Sequence, residues 1–169
     1  VLGLVFVSQK HNNMRMNVKI IKLLLSLGVF ALLTGCATRL EATVAPGQSL
    51  SELGNVYVQH FSPDKRHLNY VIADKLTLLG YPATPLNSDN IPDDADIVIT
   101  YVDNWQWDIT NYMIKIKIDF RKAASRQLLI TGESYRTSLA RKDPDLMIQE
   151  ALEKILQEAG LRYNHIAMN

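Results

Sequence analysis

Trp105 and Trp107 stand two residues apart, with Asp103, Asp108 and Tyr112 beside them. Exposed indole rings stack on sugar faces while nearby carboxylates take the hydroxyls, or they anchor a protein partner. The bland use is packing, since each ring covers about 150–250 Å² of apolar surface, and it is the favoured reading. Lys115 and Lys117, followed by Arg121, Lys122 and Arg126, set a basic stripe that could meet anionic lipid or lipopolysaccharide phosphates. Its simpler use is the wet side of an amphipathic strand, where lysine discourages stray pairing. Asp89, Asp93, Asp94 and Asp96 cluster, but a calcium loop needs a glycine and a distal glutamate. This stretch has neither, and Pro92 interrupts it. His60 and His67 lack further nitrogen or sulfur ligands nearby for zinc, and His165 falls near the end of the chain. Ser134, Thr137 and Ser138 lie outside any Gly-x-Ser-x-Gly elbow, and Glu133 has no second carboxylate of evident role. The expectation is a protein that is not an enzyme and uses no metal or cofactor. One reactive group remains, Cys36, the only cysteine of the 169 residues.

The elements that must position these residues follow from periodicity. Asn55 to Phe61 alternates as a first strand, with Val56, Val58 and His60 on one side. Ser62 and Pro63 offer an N-cap and first helical residue. Leu68, Val71, Ile72, Leu76 and Leu79 then form one helical stripe, closed by Gly80. Tyr81 to Leu86 carries two prolines and fits only a short edge strand or extended link. Asp96 to Trp107 reads as a long strand. Tyr112 to Phe120 alternates cleanly, with Tyr112, Ile114, Ile116, Ile118 and Phe120 inward and Met113, Lys115, Lys117 and Asp119 outward, as in a sheet wet on one face. Gln127 to Thr137 returns as the next strand, with Gly132 a candidate bulge. Asp143 and Pro144 open a second helix, whose stripe is Ile148, Ala151, Leu152, Ile155 and Ala159 and whose end is Gly160. The expected fold is α+β: a mainly antiparallel four- to five-stranded sheet with two helices on one face, in the order β-α-β-β-β-β-α.

Ahead of these elements, Arg15, Lys19 and Lys22 lead into an apolar run from Leu23 to Leu33, the layout of a secretory signal. The run is about eleven residues, against the roughly twenty that a bilayer core demands. Leu33-Thr34-Gly35-Cys36 closes it and matches the bacterial lipobox, so the chain resembles a Gram-negative lipoprotein precursor. The resemblance implies cleavage between Gly35 and Cys36, diacylation of the Cys36 sulfur, and acylation of the new amino terminus. With Ala37 rather than aspartate next, it further implies sorting, in a diderm host, to the periplasmic face of the outer membrane. Residues 1–15 read as a start placed too far upstream, with GTG translated as valine, and 16–35 as the signal peptide. A lipidated tether over 36–54, with room for a strand near Leu40 to Val44, an α/β domain over 55–160 and a loose tail over 161–169 complete the division.

Lys10, Arg15, Lys19 and Lys22 leave with the leader, so 14 of the 18 basic residues face 17 acidic ones, a net charge of −3. That balance argues against a nucleic-acid partner. Leu79-Gly80-Tyr81, Asp94-Ala95-Asp96-Ile97-Val98 and Trp105-Gln106-Trp107-Asp108 give the mature part its likeness to small proteobacterial envelope lipoproteins with a domain similar to the amino-terminal domain of TolB or the lipoprotein of the lipopolysaccharide translocon. Such a family implies binding or scaffolding. The expected role is therefore non-catalytic, with the bilayer held through acylated Cys36 and an envelope protein as partner. The alternative is a glycan or lipopolysaccharide binding module, and after it a cell-wall hydrolase. The candidate contact surface comprises Trp105, Trp107, Asp108, Tyr112, Lys115 and Lys117.

Overall fold

The computed structural model describes residues 38–164, so Gly35, Cys36 and the leader expected over 16–35 lie outside the described residues. The elements are β1 (Arg39–Val44), β2 (Val56–Gln59), α1 (Leu68–Leu78), β3 (Ala83–Leu86), β4 (Ile97–Trp107), β5 (Asn111–Lys122), β6 (Leu128–Tyr135) and α2 (Pro144–Glu158). All six strands form one sheet in the order β1-β6-β5-β4-β2-β3. The helices touch each other and share one face, α1 over β2 and β3, α2 over β1, β5 and β6.

The α+β class and the one-sided helix layer match expectation, but the sheet is larger and mixed. The meander β4-β5-β6 is antiparallel and β1 extends it, while β2 runs parallel to both β3 and β4. The β2–β3 pair follows from connectivity, since α1 carries the chain back over the sheet and a crossover of that kind delivers parallel neighbours. Residues 87–96 return the chain once more, so that β4 also runs parallel to β2. The extra strand is β1, which covers the strand expected near Leu40 to Val44 but joins the sheet rather than standing in a tether. Leu50 and Leu53 of the same stretch are buried in the core. At the other end, residues 161–164 are not loose. Asn164 N–H donates to Leu79 O at 3.1 Å, Tyr81 OH donates to Arg162 O at 2.7 Å, and Leu161 and Tyr163 pack on the core.

Both helices end as their glycines require. Gly80 and Gly160 take positive φ (103° and 73°). The pairs Tyr81 N–H to Leu76 O with Gly80 N–H to Thr77 O, and Leu161 N–H to Leu156 O with Gly160 N–H to Gln157 O, are Schellman closures. Asp143 caps α2 as expected, accepting Asp145 N–H at 2.9 Å with Pro144 in the first turn. The start of α1 departs from expectation: Ser62 and Pro63 belong to a turn. The helix opens at Leu68 because the buried Asp64 carboxylate accepts Leu68 N–H at 2.6 Å and Arg66 N–H at 2.7 Å. Tyr101 OH donates to the same carboxylate at 2.7 Å and accepts Asn69 N–H at 3.1 Å, tying α1 to β4.

Two bulges correct the expected alternation. On β5, Asn104 pairs with Lys115 but Trp105 with Met113, so Ile114 is an extra residue. The parity of β5 flips there: Ile116, Ile118 and Phe120 point inward as expected, whereas Met113 is buried and Tyr112 turns to the open face. On β6, Phe120 pairs with Ile130 and Arg121 with Leu128, which puts the second bulge at Leu129. Gly132 is not a bulge. It sits in regular pairing between Ile118 and Ala42, under α2, where a Cβ would lie 2.5 Å from Ile155 Cγ1. The glycine allows the helix to approach.

Candidate functional site

The β4–β5 hairpin separates the two tryptophans. Trp105 and Trp107 share the helix-side parity of β4, but the helices stop short of the hairpin's end. Trp105 is half-buried and packs on the core, its Nε1–H donating to Asp103 Oδ2 at 2.5 Å. The Arg66 guanidinium lies 3.8 Å over its ring, a cation–π contact that closes its outer side. Trp107 is 73% exposed. The favoured packing role holds for Trp105 and fails for Trp107, because only the first lies under Arg66 and the core edge.

Around Trp107 the hairpin turn and the loop from β6 to α2 form one tip. Asp108 pairs with Arg141, and the Arg141 guanidinium lies 3.8 Å over the Tyr112 ring. That guanidinium beside Asp108, helped by the Ile109 N–H, holds the carboxyl below the usual carboxylate range. Tyr112 OH donates to Gln106 Oε1 at 3.2 Å. Ile109 in the turn is 93% exposed and Leu139 in the loop 87%. The tip thus carries three exposed large apolar side chains and a neutralised charge pair. Asp103 and Asp108, expected to accept sugar hydroxyls, already hold Trp105 and Arg141. The sequence marked Trp107 and missed Ile109 and Leu139. An isoleucine between Asp108 and Thr110, and a leucine between Ser138 and Ala140, break the polarity that loops normally keep, and that was the signal available.

Lys115 and Lys117 lie on the uncovered sheet face as expected, but their stripe is interleaved with acids. Glu133 sits 3.9 Å from Lys115 and 3.6 Å from Arg39, and Asp119 lies 2.6 Å from Arg121 and 3.7 Å from Lys117. Thr131 Oγ1 donates to Asp119 at 2.7 Å. Register brings Glu133 of β6 opposite Lys117 and diagonal to Lys115, and Thr131 opposite Asp119, whereas Asp119 meets Lys117 and Arg121 as same-face neighbours two residues away on β5. A trough of ≈ 380 Å³ runs between Glu41, Thr43, Lys115, Lys117 and Glu133.

The other candidates are structural. Asp89 accepts from Gln59, Asp94 from Tyr57 OH, and Asp96 from Asn55 N–H, so these carboxylates fasten a loop to β2. The His60 and His67 rings lie 5.7 Å apart, and no group of three His, Cys, Asp or Glu able to hold a metal occurs among the described residues. Ser134 donates to Glu150 Oε1 at 2.6 Å, and Arg136 and Lys142 pair with the same carboxylate. Burial pushes the Glu150 carboxyl up, but those three donors together hold it below the ordinary glutamate range. No helix among the described residues is long and apolar enough to cross a membrane.

No protein-family model matches the chain, and no curated protein matches it by sequence. The fold is similar to that of the PelC dodecamer from Paraburkholderia phytofirmans, with a TM-score of 0.52 at 13% identity over 75% of this chain and 99% of that one. A point variant of the same protein gives a TM-score of 0.50 at 15% identity, with the same coverage. A minor lipoprotein from Acinetobacter baumannii aligns with 67% of this chain and all of that chain at 13% identity, but its TM-score of 0.31 is too low to carry an argument. At these identities the PelC likeness shows a shared fold and nothing further.

Proposed function

We propose that this chain is a lipid-anchored protein of the bacterial cell envelope, whose domain binds or scaffolds a protein partner on the uncovered face of its sheet. The observation that carries the reading is the one-sided cover. Both helices pack on one face, and the other presents Val102, 47% exposed, among charges that already pair within the sheet. Such a face can be covered without stranding a lone ion, which is the main electrostatic cost of forming an interface. Anchoring rests on the Leu33-Thr34-Gly35-Cys36 pattern. Each buried CH₂ contributes about 0.8 kcal/mol, and two or three acyl chains hold where one is reversible. Ala37 supports the periplasmic side of the outer membrane as the destination.

A second reading is favoured by the fold shared with a dodecamer: the partner is another copy of this chain. Photo-crosslinking in cells separates the two. A benzoylphenylalanine at Val102 should give an adduct that the same group at Leu78, exposed on α1, does not. A product of a second mass identifies a foreign partner, and a product of twice the chain mass identifies a copy. Equal yields from both positions, or none from Val102, would refute the sheet face as the contact.

A further inference from the structure

The pairing register places the tip of the β4–β5 hairpin at the end of the sheet where the described chain begins. Arg39, the first residue of β1, pairs with Tyr135; Tyr135 pairs with Lys115; Lys115 pairs with Asn104. These four residues form one row across the sheet. Beyond it β4 runs on from Asn104 to Trp107, three residues at about 3.3 Å each, or roughly 10 Å, before the turn that carries Ile109. Cys36 lies three residues before Arg39, and three residues span at most about 11 Å. The acylation point of the proposed lipoprotein and the exposed apolar tip are therefore constrained to one end of the domain, with matching reach beyond the same row.

From this we infer that Trp107, Ile109 and Leu139 are a membrane-contact site: they insert into the interfacial layer of the bilayer that holds the Cys36 acyl chains. The inference rests on the anchoring reading above. The chemistry of the tip fits that layer. Trp is at home where one side of the ring meets acyl chains and its N–H meets headgroups and water. Ile109 and Leu139, 93% and 87% exposed, are the most exposed large hydrophobics among the described residues. Asp108 lies between Trp107 and Ile109, and a lone carboxylate there would oppose insertion. Its pairing with Arg141 removes that objection, and the stacking of Arg141 on Tyr112 holds the counter-charge in place. With β1 starting so near Cys36, there is little tether to hold the domain away from the surface. One acyl-bearing residue fixes position only. A second contact, three strands away across the row, would also fix orientation and set the strands steeply to the membrane, leaving the open sheet face accessible from the side.

The test uses the full chain, expressed with its leader in a Gram-negative host, purified from the envelope and bound to vesicles of phosphatidylethanolamine and phosphatidylglycerol. Part of the lipid is replaced by phosphatidylcholine brominated at acyl carbons 6,7 or 11,12. Trp105→Phe leaves Trp107 as the reporter, and Trp107→Phe leaves Trp105; the difference between wild type and Trp107→Phe gives the same signal should Trp105→Phe fold poorly. The expected result is quenching of Trp107 by the shallow bromines at least twofold stronger than by the deep ones, with Trp105 unquenched. Vesicle-bound, acylated protein whose Trp107 is not quenched overturns the contact site and leaves the anchor standing. Protein whose mass carries no acyl chain overturns the anchor and the contact site with it. A Trp107 shift that follows protein concentration and ignores bromine assigns the tip to contact between copies and overturns the inference.

Discussion

Replacing Glu150 with glutamine tests whether the carboxylate on α2 fastens the helix to the sheet. Glu150 is 7% exposed and gathers Ser134 of β6 with Arg136 and Lys142 of the following loop. The amide keeps an acceptor for Ser134 but removes the counter-charge of two cations. Breaking a buried pair from one side costs about 3–5 kcal/mol. Arg136 and Lys142 retain 15% and 26% of their side-chain exposure and regain some water, so the loss should fall near 3 kcal/mol, the low end of that range. Against a typical domain stability of about 5–15 kcal/mol this is large. With a urea dependence of roughly 1.5–2 kcal/mol per molar, the unfolding midpoint followed by circular dichroism should drop by about 1.5–2 M at unchanged slope. The acid side gives an independent check. Because the folded Glu150 carboxyl lies below the ordinary glutamate value, its stabilisation is complete above about pH 4.3 and disappears as pH falls through the folded value. The gap between wild type and Glu150→Gln should close over that window. A midpoint shift under about 0.3 M, or a gap that does not change with acid, would refute the reasoning.

Three further outcomes are expected. Trp107→Ala should leave thermal stability within about 0.5 kcal/mol while Trp105→Ala costs roughly 2–3 kcal/mol, since only the second ring packs on the core; equal losses in calorimetry would contradict the split assigned to the pair. Gly132→Val should cost about 1–3 kcal/mol by driving a side chain into Ile155, and combining it with Ile155→Ala should recover part of that loss; strictly additive losses would count against the close approach. Burial, followed by the Asp64 hydrogen bond, pushes the Tyr101 hydroxyl far up, so the neutral form contributes stability that is complete below about pH 10 and lost as pH rises beyond it. Tyr101→Phe should abolish that alkaline loss and raise the acid-unfolding midpoint by weakening the hold on Asp64, both read from pH titrations of unfolding.

Where local chemistry acted alone, the sequence was legible. The Asp143-Pro144 start, the two glycine stops, the inward Ile116-Ile118-Phe120 set and the one-sided helix layer all follow from periodicity and caps. What escaped depended on distant partners. A strand near Leu40 to Val44 was legible, but that it leaves the tether and extends the sheet along the edge of β6 was not, because that pairing is set by a distant partner. The start of α1 shifts to Leu68 because Asp64 meets Tyr101 from a strand far along the chain. Ile114 looks like one more inward residue until the register with Asn104 and Trp105 makes it a bulge and reverses Tyr112 and Met113. The site was half legible for the same reason. Composition located the Trp105 to Tyr112 stretch, but the difference between its two tryptophans is set by Arg66 and by where the helices end. The basic stripe of Lys115 and Lys117 was visible, and so was Asp119 on the same face of the same strand, while Glu133, which answers the stripe from β6, meets it only through cross-strand pairing.

The central claim is that a fatty-acylated cysteine holds this fold to a membrane. Intact-mass spectrometry of the protein recovered from the cell envelope tests it most directly. The expected species begins at Cys36 and carries the added mass of two or three acyl chains; a species with residues 16–35 still attached and an unmodified thiol would contradict the claim.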